Sequence, residues 1–387
     1  MPKSEGSQRP TATHWPGAAL AFRGYNTTNL GRTAELLAVP AYRSLVQRRL
    51  QQAGRLCGEV IGRPVDLVAR VQQGREAPLE EYAEAVALVF AAELAQLDLL
   101  RECHQIDPRS VVASFGYSLG ELAALSAAGV LVDDEALRIP LAMATDCARL
   151  ADGVTMGILF SRQQPVPAGD VLQLCDEITQ RGDGVIGVSA VLSPNSVLVL
   201  GQGDTIHALR RRVPEALPGR VHLRLNDSRW PPLHTPIVWQ SSIVDRASVM
   251  IQRLAISPDP PERPVVSLVS GCPVGGGAGV RTLLRNWVDH PQRLWDAVCW
   301  VLRSPTQTVI HIGPAPNVIP ATFSRLSENV RGILSRWDLS GLGARAMEPV
   351  AYRQWLASRL PTSAALLRAP QIKHVVLEDW LIDNAPG

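Results

Sequence analysis

The sequence predicts an α/β protein in which a small subdomain is inserted into a larger α/β domain. Two observations favour this fold class. Strand-like and helix-like segments alternate from residue 18 onwards. Within this alternation, residues 151–227 follow the order β-α-β-β-α-β, which is the ferredoxin-like pattern. The chain of 387 residues is 46% hydrophobic, so it has ample material for a core.

The larger domain is predicted from short apolar runs and from helical spacing. Residues 18–22 form an apolar run that ends at Arg23-Gly24, which predicts a buried strand. Further predicted elements are helices over 42–56 and 78–102, a strand over 110–115 that leads through a glycine turn into a helix, a strand over 265–269, a helix from Thr282 and a strand over 308–312.

The small subdomain and the chain ends complete the predicted organisation. The subdomain's elements are strands over 154–160, 185–192, 195–200 and 221–225 and helices over 170–181 and 204–217. The chain then divides into a loose tail (1–17), the larger domain (18–150 and 228–337), the subdomain (151–227) and an extension (338–387). A helix over 349–360, with Tyr352, Trp355 and Leu356 on one side, is predicted in the extension. The extension would cover the pocket mouth, cover a sheet edge or form a dimer contact.

Charge and composition exclude several function classes. Lys and Arg number 38 against 36 Asp and Glu, and a net charge of +2 argues against a dedicated nucleic-acid binder. The six cysteines show no CxxC pair and no zinc spacing, so we expect reduced thiols and no metal. The N-terminus lacks an apolar signal region, and the apolar stretch 85–100 is interrupted by Glu93 and Asp98. We therefore expect a cytoplasmic protein with no membrane span.

The strongest chemical signal is the motif Gly116-Tyr117-Ser118-Leu119-Gly120. Its glycines allow a tight strand-to-helix turn that lifts Ser118 out at the helix N-terminus. There the N–H of Leu119 can donate to an oxyanion. The motif predicts that Ser118 is a nucleophile; its alternative is a structural turn.

A nucleophilic serine needs a base, and eight histidines are available. His234 stands in Trp230-Pro-Pro-Leu-His-Thr-Pro236, where prolines on both sides restrict its loop. His311 lies in an apolar strand and is predicted to be a core residue. His234 is the preferred candidate, although local sequence leaves other histidines open. Spacing names no Asp or Glu as its orienting partner.

The chain resembles the malonyl-CoA:acyl-carrier-protein transacylase family, which includes the acyltransferase domains of polyketide synthases. The matching stretches are Ala21-Phe-Arg-Gly-Tyr-Asn26, Gly116-Tyr-Ser-Leu-Gly-Glu-Leu-Ala-Ala-Leu125, Asn195-Ser-Val-Leu-Val-Leu-Gly201, Pro232-Leu-His-Thr-Pro236 and Gly313-Pro314. Their order and spacing match over about residues 18 to 335. The resemblance implies an α/β-hydrolase-like large subdomain with a ferredoxin-like insertion.

The resemblance also implies a ping-pong mechanism. Ser118 would attack an acyl thioester while His234 takes its proton, and the acyl-serine would then pass its acyl group to a second nucleophile. A backbone carbonyl from the loop around Asn286 and Trp287 would orient the histidine. The second oxyanion donor would be the backbone N–H of Tyr25, which stands where the family usually has Gln.

Departures from the family pattern predict that the acyl group is not malonyl. Malonyl-specific members hold the carboxylate with an arginine at the position of Met143, and they usually have His where this chain has Tyr117. Burying a carboxylate without a cation costs several kcal/mol. Leu233 before the histidine fits neither common specificity signature. The pocket is therefore predicted to be apolar and to take a monocarboxylic acyl chain, unless the register is shifted or Arg229 reaches in.

The resemblance further implies acyl-CoA or a phosphopantetheinyl acyl carrier protein as the donor, with no tightly bound cofactor. The three arginines Arg210, Arg211 and Arg212 could dock the acidic surface of a carrier protein, or they form an ordinary solvated helix face. The acceptor would be a carrier-protein thiol or a natural-product hydroxyl. The setting would be polyketide, antibiotic or other secondary-metabolite biosynthesis.

Four alternatives stay open at this point. The protein would instead be a malonyl-CoA:acyl-carrier-protein transacylase proper, an editing thioester hydrolase that delivers acyl groups to water, or a catalytically degenerate carrier-protein-binding scaffold. Replacement of the family's usual Pro and Gln by Arg23 and Tyr25 motivates the scaffold, while the intact Ser118 and His234 argue against it. A general lipase or esterase would want an acidic residue between serine and histidine and no insertion.

Overall fold

A computed structural model describes residue 15 and residues 17–162, 164–335, 338–351 and 361–386. The strands of the described part are β1 Ala18–Phe22, β2 Ala113–Gly116, β3 Val154–Phe160, β4 Ile186–Ser193, β5 Ser196–Gln202, β6 His222–Asn226, β7 Val265–Val266, β8 Thr308–Ile312 and β9 Lys373–Val376. Its α-helices are α1 Thr33–Ala38, α2 Pro40–Ile61, α3 Leu67–Gln72, α4 Tyr82–Cys103, α5 Leu119–Ala127, α6 Asp133–Leu150, α7 Ala168–Gln180, α8 Thr205–Ala216, α9 Ile243–Arg253, α10 Ala278–Asp289, α11 Leu294–Arg303, α12 Val318–Leu334, α13 Leu339–Ala351, α14 Thr362–Ala365 and α15 Leu377–Asp383. Short 3-10 helices cover Leu79–Glu81, Ala151–Gly153, Pro236–Ser242 and Leu366–Gln371.

A five-stranded sheet forms the centre of the larger domain, in the order β7-β2-β1-β8-β9, and its neighbouring strands are all parallel. Strands β1, β2 and β8 are buried along their whole length, as expected where helices cover both faces of a parallel sheet. Phe22 pairs in register with both Gly116 and Ile312. The carboxyl ends of the three central strands therefore meet at one edge of the sheet.

A separate four-stranded antiparallel sheet lies in the insertion, in the order β4-β5-β3-β6. Helices α7 and α8 bury Leu174, Ile178, Ile206 and Leu209 in one apolar cluster with the inward side chains of this sheet. The predicted α/β class, with a larger domain and an inserted β-α-β-β-α-β unit, is thereby confirmed.

Element boundaries differ from the sequence-based expectation in a few places. Helix α2 extends beyond the predicted 42–56, and α10 begins before Thr282. The predicted strand over 265–269 ends at Val266, because Ser267 starts a turn. Its hydroxyl accepts the backbone N–H of Val269 at 3.0 Å, and its carbonyl accepts that of Gly271 at 2.9 Å.

The C-terminal extension supplies an edge strand that the sequence did not predict. Strand β9 pairs parallel with β8, and α15 follows it. Glu378 of α15 accepts the backbone N–H groups of Arg32 at 3.0 Å and Ala315 at 2.7 Å. Of the three roles left open for this segment, the structure shows the covering of a sheet edge.

Parts of two predicted segments lie outside the described residues. These are residues 1–14 and 16 of the predicted tail and residues 352–360 of the predicted helix, which include Tyr352, Trp355 and Leu356. At the end of the predicted tail, Trp15 packs edge-on against Trp380 with ring centroids 4.9 Å apart. Within the described ranges, no helix combines the length and the apolar character that crossing a bilayer requires.

Candidate active site

The nucleophile elbow lies at the carboxyl end of β2. Strand β2 ends at Gly116, α5 begins at Leu119, and Ser118 between them has a φ of 54° and a ψ of −114°. A Cβ at Gly116 would lie 2.0 Å from the carbonyl oxygen of Gly120, and one at Gly120 would lie 2.4 Å from that of Phe22. The turn therefore accepts only glycine at both positions.

His234 reaches the elbow from the loop that follows the insertion. Its backbone also has a positive φ, of 66°, and its N–H donates to the carbonyl of Val288 at 2.8 Å. This main-chain bond holds the ring against the serine, with Nε2 2.7 Å from Oγ of Ser118. The two residues are separated by 116 positions in the chain. The structure thus brings together the predicted nucleophile and the predicted base.

Trp287 holds the other side of the imidazole. Its carbonyl oxygen lies 2.6 Å from Nδ1 of His234, whereas the carbonyl of Asn286 accepts the backbone N–H of His290 at 2.8 Å. Of the two carbonyls predicted to orient the histidine, the structure places that of Trp287 on the ring and uses that of Asn286 to end α10. The indole Nε1 of Trp287 also donates to the carbonyl of Ser118 at 3.0 Å.

The environment of His234 keeps its imidazole neutral. The side chain is buried, and burial lowers its pKa to about 4, against the smaller opposing effects of the Trp287 carbonyl and of Asp289. A neutral ring whose Nδ1–H donates to Trp287 leaves a lone pair on Nε2 for the hydroxyl of Ser118. This is the protonation state that a general base requires.

Gln292 is a site residue that the sequence did not reveal. Its side chain is fully buried, Oε1 accepts the backbone N–H of Ser118 at 3.0 Å, and Nε2 lies 3.3 Å from Nδ1 of His234. Its backbone bonds to Ser189 and Val191 of β4. No local motif marks a lone glutamine after His290-Pro291, so only the fold could find it.

One predicted oxyanion donor follows the serine directly, and the loop that carries the other passes close to it. Leu119 is the first residue of α5, so its N–H has no acceptor within the helix. The loop after β1 passes close to the elbow, since a Cβ at Gly24 would lie 3.5 Å from Cβ of Ser118. Tyr25 follows in that loop.

The side chain of Tyr25 belongs to an aromatic group. Its ring packs edge-on against Tyr82 and Trp230, with centroids 4.8 and 5.8 Å apart. The hydroxyl of Tyr25 and the Nε1 of Trp230 are buried without a hydrogen-bond partner among the described residues. Burial raises the pKa of Tyr25 to about 12. The aromatic partners of Tyr25 were not predicted.

Arg23, at the start of the same loop, has a structural role. Its fully buried guanidinium donates to the carbonyls of Gly24 at 2.9 Å, of Thr28 at 3.0 Å and of Pro314. Burial lowers the pKa of Arg23 to about 10, and the buried Glu93 opposes that shift. The replacement of Pro by Arg23 therefore leaves the loop that carries Tyr25 firmly held.

The three predicted acyl-pocket residues fall into two apolar clusters. Met143 on α6 and Leu233 beside the histidine are both buried, and they share one cluster with Leu119. Tyr117 is only half-buried and packs against the cluster that contains Phe115. Met143 and Leu233 therefore belong to the main core of the larger domain, and Tyr117 packs against the second cluster.

Three arginines that lie near Met143 or His234 in the sequence are each paired with a carboxylate. Arg229 pairs with Glu80 and Asp152, and 47% of its side chain is exposed. Arg138 pairs with Glu59 at 3.0 Å, and Arg149 pairs with Asp146. Arg229 is thus held by two carboxylates, and it lines a cavity together with Tyr82 and Ala144. That it reaches the acyl group stays a prediction.

The predicted docking arginines on α8 differ in their surroundings. Arg211 pairs with Asp204 at 3.0 Å, and Arg212 pairs with Glu177. Arg210 is exposed. In the described ranges, no group of three or more His, Cys, Asp or Glu side chains is arranged to hold a metal ion.

Comparison with known proteins finds a transacylase and polyketide synthases among those similar to this chain. The malonyl CoA-acyl carrier protein transacylase of Bacillus subtilis is 27% identical over 217 residues, which cover 56% of this chain and 51% of that protein. Hispidin synthase of Neonothopanus nambi is 26% identical over 81% of this chain and 18% of its own length. The pikromycin polyketide synthase component PikAII of Streptomyces venezuelae is 31% identical over 53% of this chain and 5% of its own. No protein-family model matches the chain.

Solved structures share the fold. The malonyl-CoA:acyl carrier protein transacylase of Xanthomonas oryzae superposes with a TM-score of 0.65 at 20% identity, over 80% of this chain and 91% of that one. A malonyl-transacylase in complex with a type II polyketide synthase acyl-carrier protein superposes with a TM-score of 0.60 at 20% identity, over 79% of this chain and 91% of that one.

The relatives of this chain are malonyl-CoA:acyl-carrier-protein transacylases and polyketide synthases. The resemblance carried by the elbow and its surrounding stretches is thereby confirmed. The chain spans about half of the Bacillus subtilis transacylase and a small fraction of hispidin synthase and of the pikromycin polyketide synthase component.

Proposed function

We propose that this protein is an acyltransferase that carries an acyl group on Ser118. The observation that carries the proposal is the 2.7 Å contact between Oγ of Ser118 and Nε2 of His234, at a strained elbow beside a helix N-terminus. The acyl donor is an acyl-CoA or a phosphopantetheinyl acyl carrier protein, as the names of the relatives suggest. No tightly bound cofactor is needed.

The reaction runs in two half-reactions. His234 removes the hydroxyl proton as Oγ of Ser118 attacks the thioester carbonyl, and the N–H groups of Leu119 and Tyr25 stabilise the oxyanion. When the C–S bond breaks, the thiolate takes the proton from His234 and leaves. A carrier-protein thiol or a natural-product hydroxyl then attacks the acyl-serine by the same steps in reverse, with His234 as base.

The acyl group is proposed to be monocarboxylic and apolar. Met143 and Leu233 are buried in one apolar cluster, and Arg138, Arg149 and Arg229 are each paired with a carboxylate. A free carboxylate brought into this cluster would lack a cation, which costs several kcal/mol. We place the activity in polyketide or other secondary-metabolite biosynthesis.

Intact-protein mass spectrometry tests the proposal. The chain is incubated with acetyl-, butyryl-, isobutyryl-, hexanoyl-, malonyl- and methylmalonyl-CoA, and the mass gained is mapped to a residue. We expect loading of Ser118 by the monocarboxylic donors, and no loading of a Ser118→Ala variant. Strong malonyl loading with none by the others would contradict the proposed specificity.

A chase experiment distinguishes the proposed transfer from the remaining candidate functions. Acyl-Ser118 is isolated and mixed with buffer, with a holo acyl carrier protein or with a hydroxyl-bearing polyketide. Transfer to a thiol or a hydroxyl supports the proposal, whereas loss to water at the same rate with and without acceptor identifies a hydrolase. Absence of any acylation, with a cellular role that survives Ser118→Ala, identifies a scaffold.

A further inference from the structure

Gln292 links the two halves of the candidate active site. It follows α10 in the chain, 174 residues from Ser118 and 58 from His234, yet its one side chain contacts both.

The backbone N–H of Ser118 determines the orientation of the Gln292 amide. Only Oε1 can accept the N–H of Ser118, so Nε2 must point toward the imidazole. Because Nδ1 of His234 carries the proton that the carbonyl of Trp287 accepts, the amide –NH₂ meets an N–H rather than a lone pair. Because the amide –NH₂ carries a positive partial charge, this contact disfavours a second proton on the ring, while the carbonyl of Trp287 fixes the tautomer that leaves Nε2 free.

Gln292 is also rigid. Its side chain is fully buried, its N–H donates to the carbonyl of Ser189 at 2.8 Å, and its carbonyl accepts the N–H of Val191 at 2.9 Å. These bonds attach it to β4, so the antiparallel sheet of the insertion supports the catalytic geometry of the larger domain. A group held in this way can position others without moving itself.

We propose that Gln292 is a positioning residue of the acyl-transfer site, which holds the Ser118 backbone and keeps the imidazole of His234 neutral and aimed at the nucleophile. The inference rests on the proposed function. It adds a residue that touches the backbone of Ser118 and the ring of His234 but neither the acyl group nor the reacting atoms.

The electrostatic surroundings make the proposal testable by pH. Among the described residues, Asp289 is the charged group whose electrostatic interaction raises the pKa of the imidazole. Its carboxylate already accepts a hydrogen bond from Nε1 of Trp239 and pairs with His290. Gln292→Glu keeps the side-chain size but places a carboxylate beside Nδ1. A carboxylate stabilises the imidazolium, so this change raises the pKa of His234.

The experiment uses the full chain and three variants. Gln292→Val removes the amide, Gln292→Glu reverses its effect on the ring, and Gln96→Val is the matched control. Gln96 is also a fully buried glutamine, and its Oε1 accepts a backbone N–H, that of Gly313 at 2.8 Å, but it has no contact with His234 in the described structure. Two readouts are taken: ¹⁵N NMR titration of the imidazole, and the pH profile of Ser118 acylation with the CoA donor that loads the native chain fastest.

We expect Gln292→Val to slow acylation about tenfold or more, with the half-saturating donor concentration changed less than twofold. Gln292→Glu should raise the NMR pKa of His234, and the midpoint of the rising limb of the rate profile, by about one unit or more. Gln96→Val should retain the native midpoint.

An unchanged His234 pKa in Gln292→Glu, or native acylation in a folded Gln292→Val, would overturn the inference. If Gln292→Val does not fold, the isosteric Gln292→Glu decides alone. The NMR titration needs no acyl donor, so it tests Gln292 even where the native chain fails to load Ser118, a result that would count against the proposed function instead.

Discussion

The carbonyl oxygen of Trp287 lies 2.6 Å from Nδ1 of His234, and the indole of the same residue donates to the carbonyl of Ser118 at 3.0 Å. One residue therefore contacts both His234, through its main chain, and Ser118, through its side chain. Asp289, the nearest acidic candidate in that loop, is occupied by Trp239 and His290. A main-chain carbonyl takes the place that a carboxylate has in a Ser-His-Asp triad.

Trp287→Phe separates these two contacts. It keeps the backbone carbonyl on His234 but removes the indole N–H, so the carbonyl of Ser118 loses a donor. We expect the free energy of unfolding to fall by about 1–3 kcal/mol, with the pKa of His234 unchanged. Chemical denaturation and the pH profile of acylation measure the two effects. A shifted pH profile would show that the indole acts on the imidazole as well as on the elbow.

The pH dependence of acylation should follow the neutral form of His234. Burial lowers the pKa of this imidazole to about 4, and the base acts only when deprotonated. The rate should therefore stay level from neutral pH down to about 5 and fall as pH drops through about 4. Single-turnover mass spectrometry measures this limb. A midpoint near the ordinary histidine pKa of about 6.5 would mean that the ring is solvated in solution.

A buried histidine should also make the fold acid-sensitive. Nε2 of His311, which is buried in β8, lies 2.9 Å from Nδ1 of the exposed His374 in β9, and burial lowers the pKa of His311 to about 3. His311 binds a proton more readily when unfolded, so its contribution to stability is present above about pH 6.5 and is lost as pH falls toward 3. We expect the melting temperature to fall across this range. A His311→Leu/His374→Leu variant should show a flatter dependence, and an equally steep one would contradict this assignment.

The elbow glycines should tolerate no side chain. A Cβ at Gly116 would lie 2.0 Å from the carbonyl oxygen of Gly120, so Gly116→Ala should abolish acylation and destabilise the fold by several kcal/mol. Gly332→Ala on α12 is the matched control, because a Cβ there meets no atom within 4 Å. This control should gain up to about 1 kcal/mol from helix propensity. Thermal unfolding of both variants makes the comparison, and a native-like Gly116→Ala would refute the packing argument.

Met143→Arg tests the proposed acyl specificity directly. The change places a cation where malonyl-specific members of the resembled family hold a carboxylate. We expect the ratio of malonyl to butyryl loading on Ser118 to rise about tenfold or more, at a cost of several kcal/mol in stability for burying the charge. Met143→Leu, which keeps the site apolar, should leave the ratio within about twofold of native. A ratio unaltered by the arginine would show that position 143 lies outside the acyl pocket.

The sequence by itself determined the strand-to-helix turn that presents Ser118. Gly116, Ser118 and Gly120 form a local strand-to-helix motif whose geometry follows from backbone sterics alone, so their role in the elbow is readable without a structure. The same holds for the alternation of strands and helices, which apolar periodicity encodes over short windows. His234 was identifiable because prolines and the resemblance marked its loop.

The tertiary structure alone decided which distant groups meet at that turn. Gln292 reaches Ser118 across 174 residues of chain, and no local pattern encodes such a contact. Strand β9 pairs with β8 although only half of its residues are apolar, because an edge strand is satisfied by one ladder of main-chain bonds. The fold also determines where arginine side chains lie. Glu80 and Asp152 are distant from Arg229 in the chain, yet they position its guanidinium, since a guanidinium lies with the carboxylates that can pair with it.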